Sequence, residues 1–189
     1  TKINIEGGKL VSDESIGCPT GTIIEVNDLF FNTPARKKYL KAFSTELTHI
    51  IDIVTRYALI NPKIHFSVEH NDKQIFSSPS SDMKNNLVNI FGLTTTKDMI
   101  EIEYEDEGIS IKGFVSKPTV TRSDKSNQSI FVNGRYVKNK IISDAIYDAY
   151  HTLLTVKRHP IVVLDVNIDH KIVDVNVHPT KIEIRLQSQ

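Results

Sequence analysis

Gly21-Thr22 is the first of three stretches whose residue types suit contact with phosphate groups. It precedes the alternating run Ile23–Asn27, which predicts a strand. The unhindered backbone of Gly21 and the hydroxyl of Thr22 therefore lie just before that strand, where they could contact a phosphate or another ligand. A plain loop followed by a strand is the alternative interpretation. The Arg36–Lys38 run further along is interpreted as a solvated helix face.

The second stretch is basic, although the whole chain is balanced at 23 Lys plus Arg and 23 Asp plus Glu. Seven basic residues and one acidic residue lie between Lys112 and Lys140, and five acids lie between Glu101 and Glu107. A local basic surface is expected where a protein contacts the phosphate backbone of nucleic acid without reading bases. Ion pairing between the two arms of a hairpin is the alternative explanation.

The third stretch ends on a lysine in a rigid loop. Val173–Val177 alternates between apolar and polar residues, and Pro179 then interrupts the strand ladder because proline donates no hydrogen bond. Lys181 follows on the resulting loop. A lysine held there could reach a terminal phosphate as a compact point charge. A solvated lysine on a loop is the alternative interpretation of Lys181.

Several kinds of site are absent from the sequence. It contains no phosphate-binding P-loop, dinucleotide fingerprint, nucleophile elbow or His/Cys cluster at metal spacing, so we predict no metal site and no catalytic triad. The single cysteine, Cys18, excludes an internal disulfide and suits a reducing compartment. No apolar run approaches the roughly 20 residues that a membrane span needs. The chain starts in a strand-like pattern without Met or a signal segment, which predicts a piece of a longer protein.

In the first half, Thr33 is a plausible N-cap with Pro34 at the first helical position. A second helix is predicted from Ser44 to about Leu59, because its apolar residues recur every three to four positions. A hairpin over residues 64–77 follows. The breaker-rich run Ser77–Asp82 predicts a domain boundary after residue 79.

After a helix over Met83–Phe91 that ends at Gly92 with a left-handed cap, the second half predicts four strands, a helix and three strands. Asn133-Gly134 is the clearest hairpin turn, because both residues tolerate a positive φ. The order predicts an α+β sandwich whose sheet is covered on one face. The remaining predicted elements are Ile100–Tyr104, Ile109–Val115, Ser129–Val132, Arg135–Val137, the helix Ile141–Leu154, Ile161–Ile168, Ile172–Val177 and Ile182–Leu186.

Taken together, three segments resemble the hallmark segments of the MutL family of mismatch repair ATPases. They are residues 21–40 with Asp-Leu-Phe-Phe-Asn-Thr-Pro-Ala-Arg-Lys-Lys-Tyr-Leu, residues 131–135 with Phe-Val-Asn-Gly-Arg, and residues 174–185 with Asp-Val-Asn-Val-His-Pro-Thr-Lys-Ile-Glu-Ile-Arg. The resemblance extends from Gly21 to Leu186. The family belongs to the GHKL ATPases, together with the gyrase B subunit and histidine kinases.

The resemblance implies an α+β chain of two parts. Residues 1–79 would form the C-terminal portion of a GHKL, Bergerat-type ATPase α/β sandwich. Residues 80–189 would form the transducer domain, a left-handed β-α-β lever of ribosomal-protein-like fold that is also found in gyrase.

The resemblance also implies roles for individual residues. Gly21 and Thr22 match the last nucleotide-binding motif of the family. Lys181 matches the catalytic lysine that crosses from the transducer domain to the γ-phosphate of ATP. Arg135, Lys138 and Lys140 fall where the family lines a DNA groove, although the match of the two lysines is only regional.

Other family motifs do not occur in this sequence. These are the catalytic Glu and magnesium-binding Asn of an early helix, the Asp-x-Gly-x-Gly adenine motif and the Gly-Phe-Arg-Gly-Glu-Ala-Leu lid motif, all of which precede the Gly-Thr motif in the family. Because these motifs bind ATP and magnesium in the family, the resemblance implies both ligands for the complete protein. We expect the 189-residue chain by itself neither to bind ATP tightly nor to hydrolyse it.

For the complete protein, the resemblance implies an ATP-gated clamp or matchmaker in the repair of mismatched DNA. Expected partners are DNA without sequence preference, a second MutL-type subunit in a homodimer or heterodimer, and a MutS-type protein, with no membrane. The expected location is intracellular: the cytoplasm in a bacterium or archaeon, the nucleus in a eukaryote. Two alternatives are a non-enzymatic nucleic-acid-binding domain of the same lever fold and a type II topoisomerase ATPase fragment. The latter shares the lever lysine but lacks the segment around Pro34.

Overall fold

The computed structural model describes residues 1–106, 108–169, 173–174 and 185–186. Proximity of Cα atoms divides the chain into two compact units, Thr1–Thr48 and His49–Gln189. The domain boundary predicted after residue 79 is a different division, based on family resemblance and composition, and it stays a prediction.

The first unit contains one hairpin, one short helix and the start of a longer helix that begins at Phe43. Strands β1 (Lys2–Glu6) and β2 (Lys9–Glu14) pair antiparallel with each other. Helix α1 (Pro34–Lys37) begins at the predicted proline, with Thr33 at the N-cap position. The Thr33 side chain makes no capping hydrogen bond, so the start of this helix depends on the fixed φ of Pro34.

The strand predicted over Ile23–Asn27 is wrong. These residues have no regular secondary structure, and Ile23 and Ile24 are 93% and 81% exposed. Alternation of apolar and polar residues is a local signal, whereas a strand also needs a hydrogen-bonding partner. Within the first unit β1 and β2 pair only with each other, so the segment has no partner there.

Helix α2 (Phe43–Ile60) confirms the predicted long helix. It is followed by the predicted hairpin, formed by β3 (Phe66–His70) and β4 (Lys73–Ser78). Asn71 and Asp72 adopt φ values of 48° and 59° at the turn, which Asn and Asp tolerate better than most residues.

Helix α3 (Met83–Phe91) also confirms its prediction. The Asp82 carboxylate accepts a hydrogen bond of 2.8 Å from the backbone N–H of Asn85, and this bond holds the pKa of Asp82 below its ordinary value. The helix ends at Gly92 as predicted, but the predicted left-handed helical cap is wrong. Gly92 has φ 84° and ψ 156°, an extended conformation open to glycine, and a short helix, α4 (Leu93–Lys97), starts immediately after it.

The centre of the second unit is a five-stranded sheet with the order β5-β6-β11-β8-β9. Strand β11 is antiparallel to β6 and parallel to β8, so the chain crosses over between β8 and β11, and helix α5 forms part of that crossover. The bounds are β5 Met99–Asp106, β6 Ile109–Ser116, β7 Thr121–Arg122, β8 Gln128–Val132, β9 Arg135–Val137, α5 Lys140–Ala149, β10 His159–Pro160, β11 Val162–Ile168, β12 Val173–Asp174 and β13 Arg185–Leu186.

Two small antiparallel pairs accompany the sheet, β7 with β10 and β12 with β13. Helix α5 is shorter than predicted and ends at Ala149 rather than Leu154. Its N-cap is Asn139, whose side-chain oxygen accepts a 3.0 Å hydrogen bond from the backbone N–H of Ile142.

Both faces of the sheet are covered, so the predicted single covered face is wrong. On one face Ile130 and Val132 of β8 pack in a cluster with Ile146 of α5. On the other face Phe131 packs in a cluster with Leu59 and Leu87 from helices α2 and α3. Every residue of β8 is buried, as expected for a strand in a parallel pair between two layers of helix.

Candidate nucleic-acid interface and nucleotide-contact residues

The turn between β8 and β9 is fixed to the end of β11. Asn133 and Gly134 have φ values of 50° and 74°, which confirms the predicted hairpin turn. The backbone N–H of Asn133 donates to the carbonyl of Val166 at 2.9 Å, and its side-chain oxygen accepts from the N–H of Ile168 at 2.9 Å. The Phe-Val-Asn-Gly-Arg segment therefore joins two strands of the sheet as well as forming a hairpin.

We call Arg135, Lys138 and Lys140 the edge surface, because β9 is the outermost strand at one side of the sheet. Arg135 lies opposite Val132 in the β8–β9 ladder, Lys138 follows the last residue of β9, and Lys140 opens α5. All three side chains are exposed. The structure thus places the three predicted DNA-contact residues within one short stretch beside an edge strand.

The three cations of the edge surface differ in their partners. Lys140 Nζ lies 2.5 Å from Asp144 Oδ2, and the hydrogen bond and the negative charge of Asp144 raise the pKa of Lys140. The pair is exposed, and such pairs contribute little to stability. Within the described residues, Arg135 and Lys138 form no ion pair or side-chain hydrogen bond. Their charges are available to an external anion.

The alternative explanation of the charge pattern, ion pairing between hairpin arms, is correct for part of the stretch. Lys112 Nζ lies 2.8 Å from Glu103 Oε1 across the β5–β6 ladder, and their mutual interaction lowers the pKa of Glu103 and raises that of Lys112. Lys117 likewise lies 2.9 Å from Asp98. These pairs do not involve the edge surface.

A buried arginine, which contacts Tyr136 of β9, was not predicted from the sequence. Arg56 of α2 is only 7% exposed, and its guanidinium carbon lies 4.2 Å from the ring centroid of Tyr136. It donates to the backbone carbonyl of Asp52 at 3.0 Å and to that of Ser126 at 3.4 Å, and it also forms an ion pair with the Asp52 carboxylate. Arg56 therefore supports the residue next to Arg135. Nothing in the spacing of α2 distinguishes Arg56 from a solvated arginine.

The predicted nucleotide-contact residues are Gly21 and Thr22 of the first unit and Lys181. Gly21 has φ 146° and lies with Thr22 in exposed, irregular chain of the first unit. No atom lies within 4 Å of the position that a Cβ of Gly21 would take, so a phosphate could approach this backbone closely. Lys181 lies outside the described residues. The strands on either side of it, β12 and β13, pair antiparallel.

Two kinds of feature are missing from the described part of the chain. No group of three or more His, Cys, Asp or Glu side chains there could hold a metal ion. No helix there is long and apolar enough to span a bilayer.

Comparison with known proteins identifies the family. A family model described as "DNA mismatch repair protein, C-terminal domain" matches residues 87–189. The curated DNA mismatch repair protein MutL of Desulforamulus reducens is 43% identical over 187 residues, which are 98% of this chain and 29% of that protein. MutL of Geobacillus sp. strain WCH70 is 44% identical over an alignment of 190 positions that covers 100% of this chain and 31% of that protein.

Solved structures agree with these relatives. The Aquifex aeolicus MutL ATPase domain complexed with ADP has a TM-score of 0.66 and 27% identity, covering 88% of this chain and 61% of that chain. A second structure, the ATPase domain of the bacterial mismatch repair endonuclease Aquifex aeolicus MutL, has a TM-score of 0.68 and 26% identity, covering 95% and 65%. These neighbours confirm the predicted mixed α+β fold of the GHKL type.

This chain spans about a third of the length of the curated relatives that it matches. The relatives cover the three segments that carried the resemblance in the sequence, and the family model covers the second and third. The chain belongs to the MutL family of DNA mismatch repair proteins.

Proposed function

We propose that the chain is part of an ATP-gated DNA clamp, or matchmaker, and that its edge surface holds the DNA backbone. One observation carries the proposal. Arg135 and Lys138 are exposed beside an edge strand and have no ion-pair partner among the described residues. The chain belongs to a family of DNA mismatch repair proteins. Arg135 offers a planar set of donors that suits phosphate oxygens, and Lys138 offers a point charge. Neither contact depends on the identity of a base.

The DNA contact is tested by the salt dependence of binding. In the complete protein, the double substitution Arg135→Gln with Lys138→Gln should weaken binding to every duplex alike. The slope of log affinity against log salt should fall by about 0.9 for each phosphate that the variant no longer neutralises. Fluorescence anisotropy of a labelled duplex, titrated at several salt concentrations, measures the slope.

The matched control is Lys112→Gln, which also removes a cation from the basic stretch. Lys112 already pairs with Glu103 at 2.8 Å, so its removal should leave the slope almost unchanged. A double variant whose slope equals that of the wild type would exclude the edge surface from DNA binding.

The nucleotide part of the proposal concerns ATP in the complete protein. Gly21 and Thr22 fit a phosphate contact, because the backbone at Gly21 is open and the hydroxyl of Thr22 is exposed. A structural neighbour, the Aquifex aeolicus MutL ATPase domain, was solved with ADP. The described residues form no cluster of carboxylates for magnesium, and we assign no residue to that ion. ATP supplies the terminal phosphate that distinguishes the two nucleotide states.

Lys181 would act as the sensor of that phosphate. Its ammonium group gains an attractive interaction only when a terminal phosphate is present, so the nucleotide shifts the population of conformations in which the lysine reaches it. Lys181→Ala in the complete protein should lower ATP turnover about 100-fold or more, as loss of one charge-stabilising donor does elsewhere. The melting temperature should be unchanged.

A steady-state ATPase assay measures this effect, with Lys157→Ala as the control for loss of an exposed lysine. Unchanged turnover in the Lys181 variant would exclude the phosphate-sensing role. The 189-residue chain by itself should show no turnover. Stoichiometric hydrolysis by that chain, abolished by Lys181→Ala, would contradict the expectation that catalysis needs the motifs missing from it.

Two further parts of the proposal concern partners and location. Clamping around DNA requires a second subunit, so we infer a homodimer or heterodimer of MutL-type chains, acting with a MutS-type protein. The place of action is inside the cell, with the DNA. A type II topoisomerase is set aside, because the family is that of mismatch repair proteins. For the 189-residue chain by itself, we propose a role in nucleic-acid binding alone as the second candidate, because the edge surface can contact DNA without a bound nucleotide.

A further inference from the structure

A second group of cations lies at the small β7–β10 pair. Arg122 of β7 lies directly opposite His159 of β10, Arg158 precedes His159 in the chain, and Lys125 follows β7 closely. We call these four residues the corner surface. Lys125 and Arg158 are exposed, and Arg122 and His159 are half-buried.

The two arginines converge on one residue. Arg122 Nη1 and Arg158 Nη2 each donate to the backbone carbonyl of Thr121 at 3.3 Å, and Arg158 Nε donates to the Thr121 hydroxyl at 2.9 Å. Arg122 Nη2 also donates to the Thr95 hydroxyl at 3.4 Å. Two guanidinium groups that share one carbonyl oxygen are close enough to repel each other, and a neutral oxygen cannot cancel either charge.

The other two members of the corner surface are linked through Tyr147. Lys125 Nζ lies 4.7 Å from the centroid of the Tyr147 ring, a cation–π contact. The Tyr147 hydroxyl lies 2.6 Å from His159 Nδ1 and accepts a 3.0 Å hydrogen bond from Gln128 Nε2. These contacts hold Lys125 and His159 near the arginines without supplying a negative charge.

One carboxylate lies near this group. Residues 117–125 and 150–160 contain a single acid, Asp124. Its Oδ1 accepts a 2.8 Å hydrogen bond from the backbone N–H of Ser126, and its charge also interacts with His159. Arg122, Lys125 and Arg158 have no ion pair within the described part of the chain.

Some other cations of the same unit have carboxylate partners. Lys112, Lys117 and Lys140 each pair with a carboxylate at 2.9 Å or less. Arg135 and Lys138 of the edge surface do not, within the described residues, so the distinguishing feature of the corner surface is that its two arginines converge on one carbonyl oxygen. A group of converging, unbalanced cations is the electrostatic environment that binds a phosphate.

We propose that the corner surface is a second contact for the phosphate backbone of a nucleic acid, distinct from the edge surface. The two surfaces are associated with opposite ends of β8. Gln128 at its start bonds Tyr147, and Val132 at its end lies opposite Arg135. The four steps along the strand from Gln128 to Val132 separate those ends by roughly 13 Å. A polymer with phosphates at regular intervals can contact both surfaces, whereas a single free phosphate cannot.

This inference takes DNA as the ligand from the proposed function, but it does not need the edge surface to bind. The test uses the complete protein and the salt slope of duplex binding. The corner variant, Arg122→Gln with Arg158→Gln, should lower the slope by about 0.9 for each phosphate that it leaves without a cation. The conservative variant, Arg122→Lys with Arg158→Lys, should keep most of the slope because it keeps both charges.

Two controls separate charge from fold. Because both arginines donate hydrogen bonds to Thr121, thermal melting of each variant shows whether it still folds. Lys125→Gln is a second, independent variant at an exposed residue. It should lower the slope by about 0.9 even if the arginine variant does not fold. The matched control, Lys112→Gln with Lys117→Gln, removes two cations that already have carboxylate partners and should leave the slope nearly as in the wild type.

The outcomes distinguish this inference from the proposed function. Wild-type slopes in the corner and Lys125 variants, with a reduced slope in the edge variant, would overturn the inference and leave the proposed function intact. A reduced slope in the corner or Lys125 variant, with a wild-type slope in the edge variant, would support the inference and remove the edge surface. Wild-type slopes in all of them would overturn both.

A separate arm distinguishes a nucleic acid from a free phosphate. Inorganic phosphate is added to the wild-type complex while chloride is reduced to keep ionic strength constant. If DNA binding is unaffected, the polymer is the ligand of the corner surface. If the corner variant loses binding of inorganic phosphate, measured by calorimetry, but keeps the wild-type salt slope for DNA, the corner surface is a site for free phosphate, and the inference is wrong.

Discussion

Replacing Gly113 by alanine is expected to lower the free energy of unfolding of the five-stranded sheet by about 3 kcal/mol or more. Gly113 has φ 151°, and a Cβ there would lie 2.0 Å from the carbonyl oxygen of Val163 and 2.9 Å from Cα of Leu164. Both obstacles are backbone atoms of β11, the strand that pairs with β6 at this point. They cannot retreat without breaking the ladder, and the conformation is itself strained for any residue with a side chain.

The measurement is urea unfolding of the complete protein, and Gly108→Ala is the matched control. Gly108 also has a positive φ, 75°, but no atom lies within 4 Å of the position of its Cβ. Its substitution should cost only the conformational strain, about 1–2 kcal/mol. Equal losses in the two variants would show that the close approach to β11 does not matter. Because β11 also anchors Asn133, a displaced strand should weaken DNA binding in the Gly113 variant as well.

Replacing Asn86 by alanine is expected to destabilise the second unit by about 3 kcal/mol. Asn86 of α3 is fully buried. Its side-chain oxygen accepts a 2.7 Å hydrogen bond from the Ser78 hydroxyl, and its Nδ2 donates to the carbonyl of Ala58 at 2.8 Å. Alanine would leave a hydroxyl and a carbonyl without partners in a buried place. The change should therefore loosen the joint between α2, β4 and α3.

Asn89→Ala is the control for this experiment, because Asn89 is exposed on the same helix. Alanine favours helix equally at both positions, so the difference between the two variants isolates the buried hydrogen bonds. Asn89→Ala should change stability by less than about 0.5 kcal/mol. Thermal melting of the complete protein is the readout, and equal melting temperatures for the two variants would contradict the role given to Asn86.

These two residues also show where sequence interpretation ends. Asn86 lies in a helix that its own periodicity predicts, yet an asparagine in a helix is usually exposed, so its burial is invisible in the sequence. Gly113 lies in a strand that alternation predicts, but the need for glycine comes from Val163, which is distant in the chain. Arg56 is a third case, since its place over Tyr136 depends on how α2 packs on the sheet.

Local conformation was largely determined by the sequence itself. Helix α2 follows from apolar spacing, helix α3 ends at the predicted glycine, and the turn at Asn133-Gly134 follows from the tolerance of these residues for positive φ. The motifs around Gly21, Asn133 and Lys181 identified the family, which the family model and relatives confirmed. All of these signals depend on residues close together in the chain.

Only the tertiary structure decided which residues became partners. In the tertiary structure both faces of the sheet are covered, and Ile23–Asn27 have no partner strand within the first unit. The cations of a single basic stretch lie in different environments. Lys112 met a carboxylate across a hairpin, whereas Arg135 and Lys138 met none in the described part of the chain. Charge counted along a sequence is the same in both cases. Its availability to DNA depends on which distant groups the fold brings within a few ångströms, because Coulomb and hydrogen-bond energies fall steeply with distance.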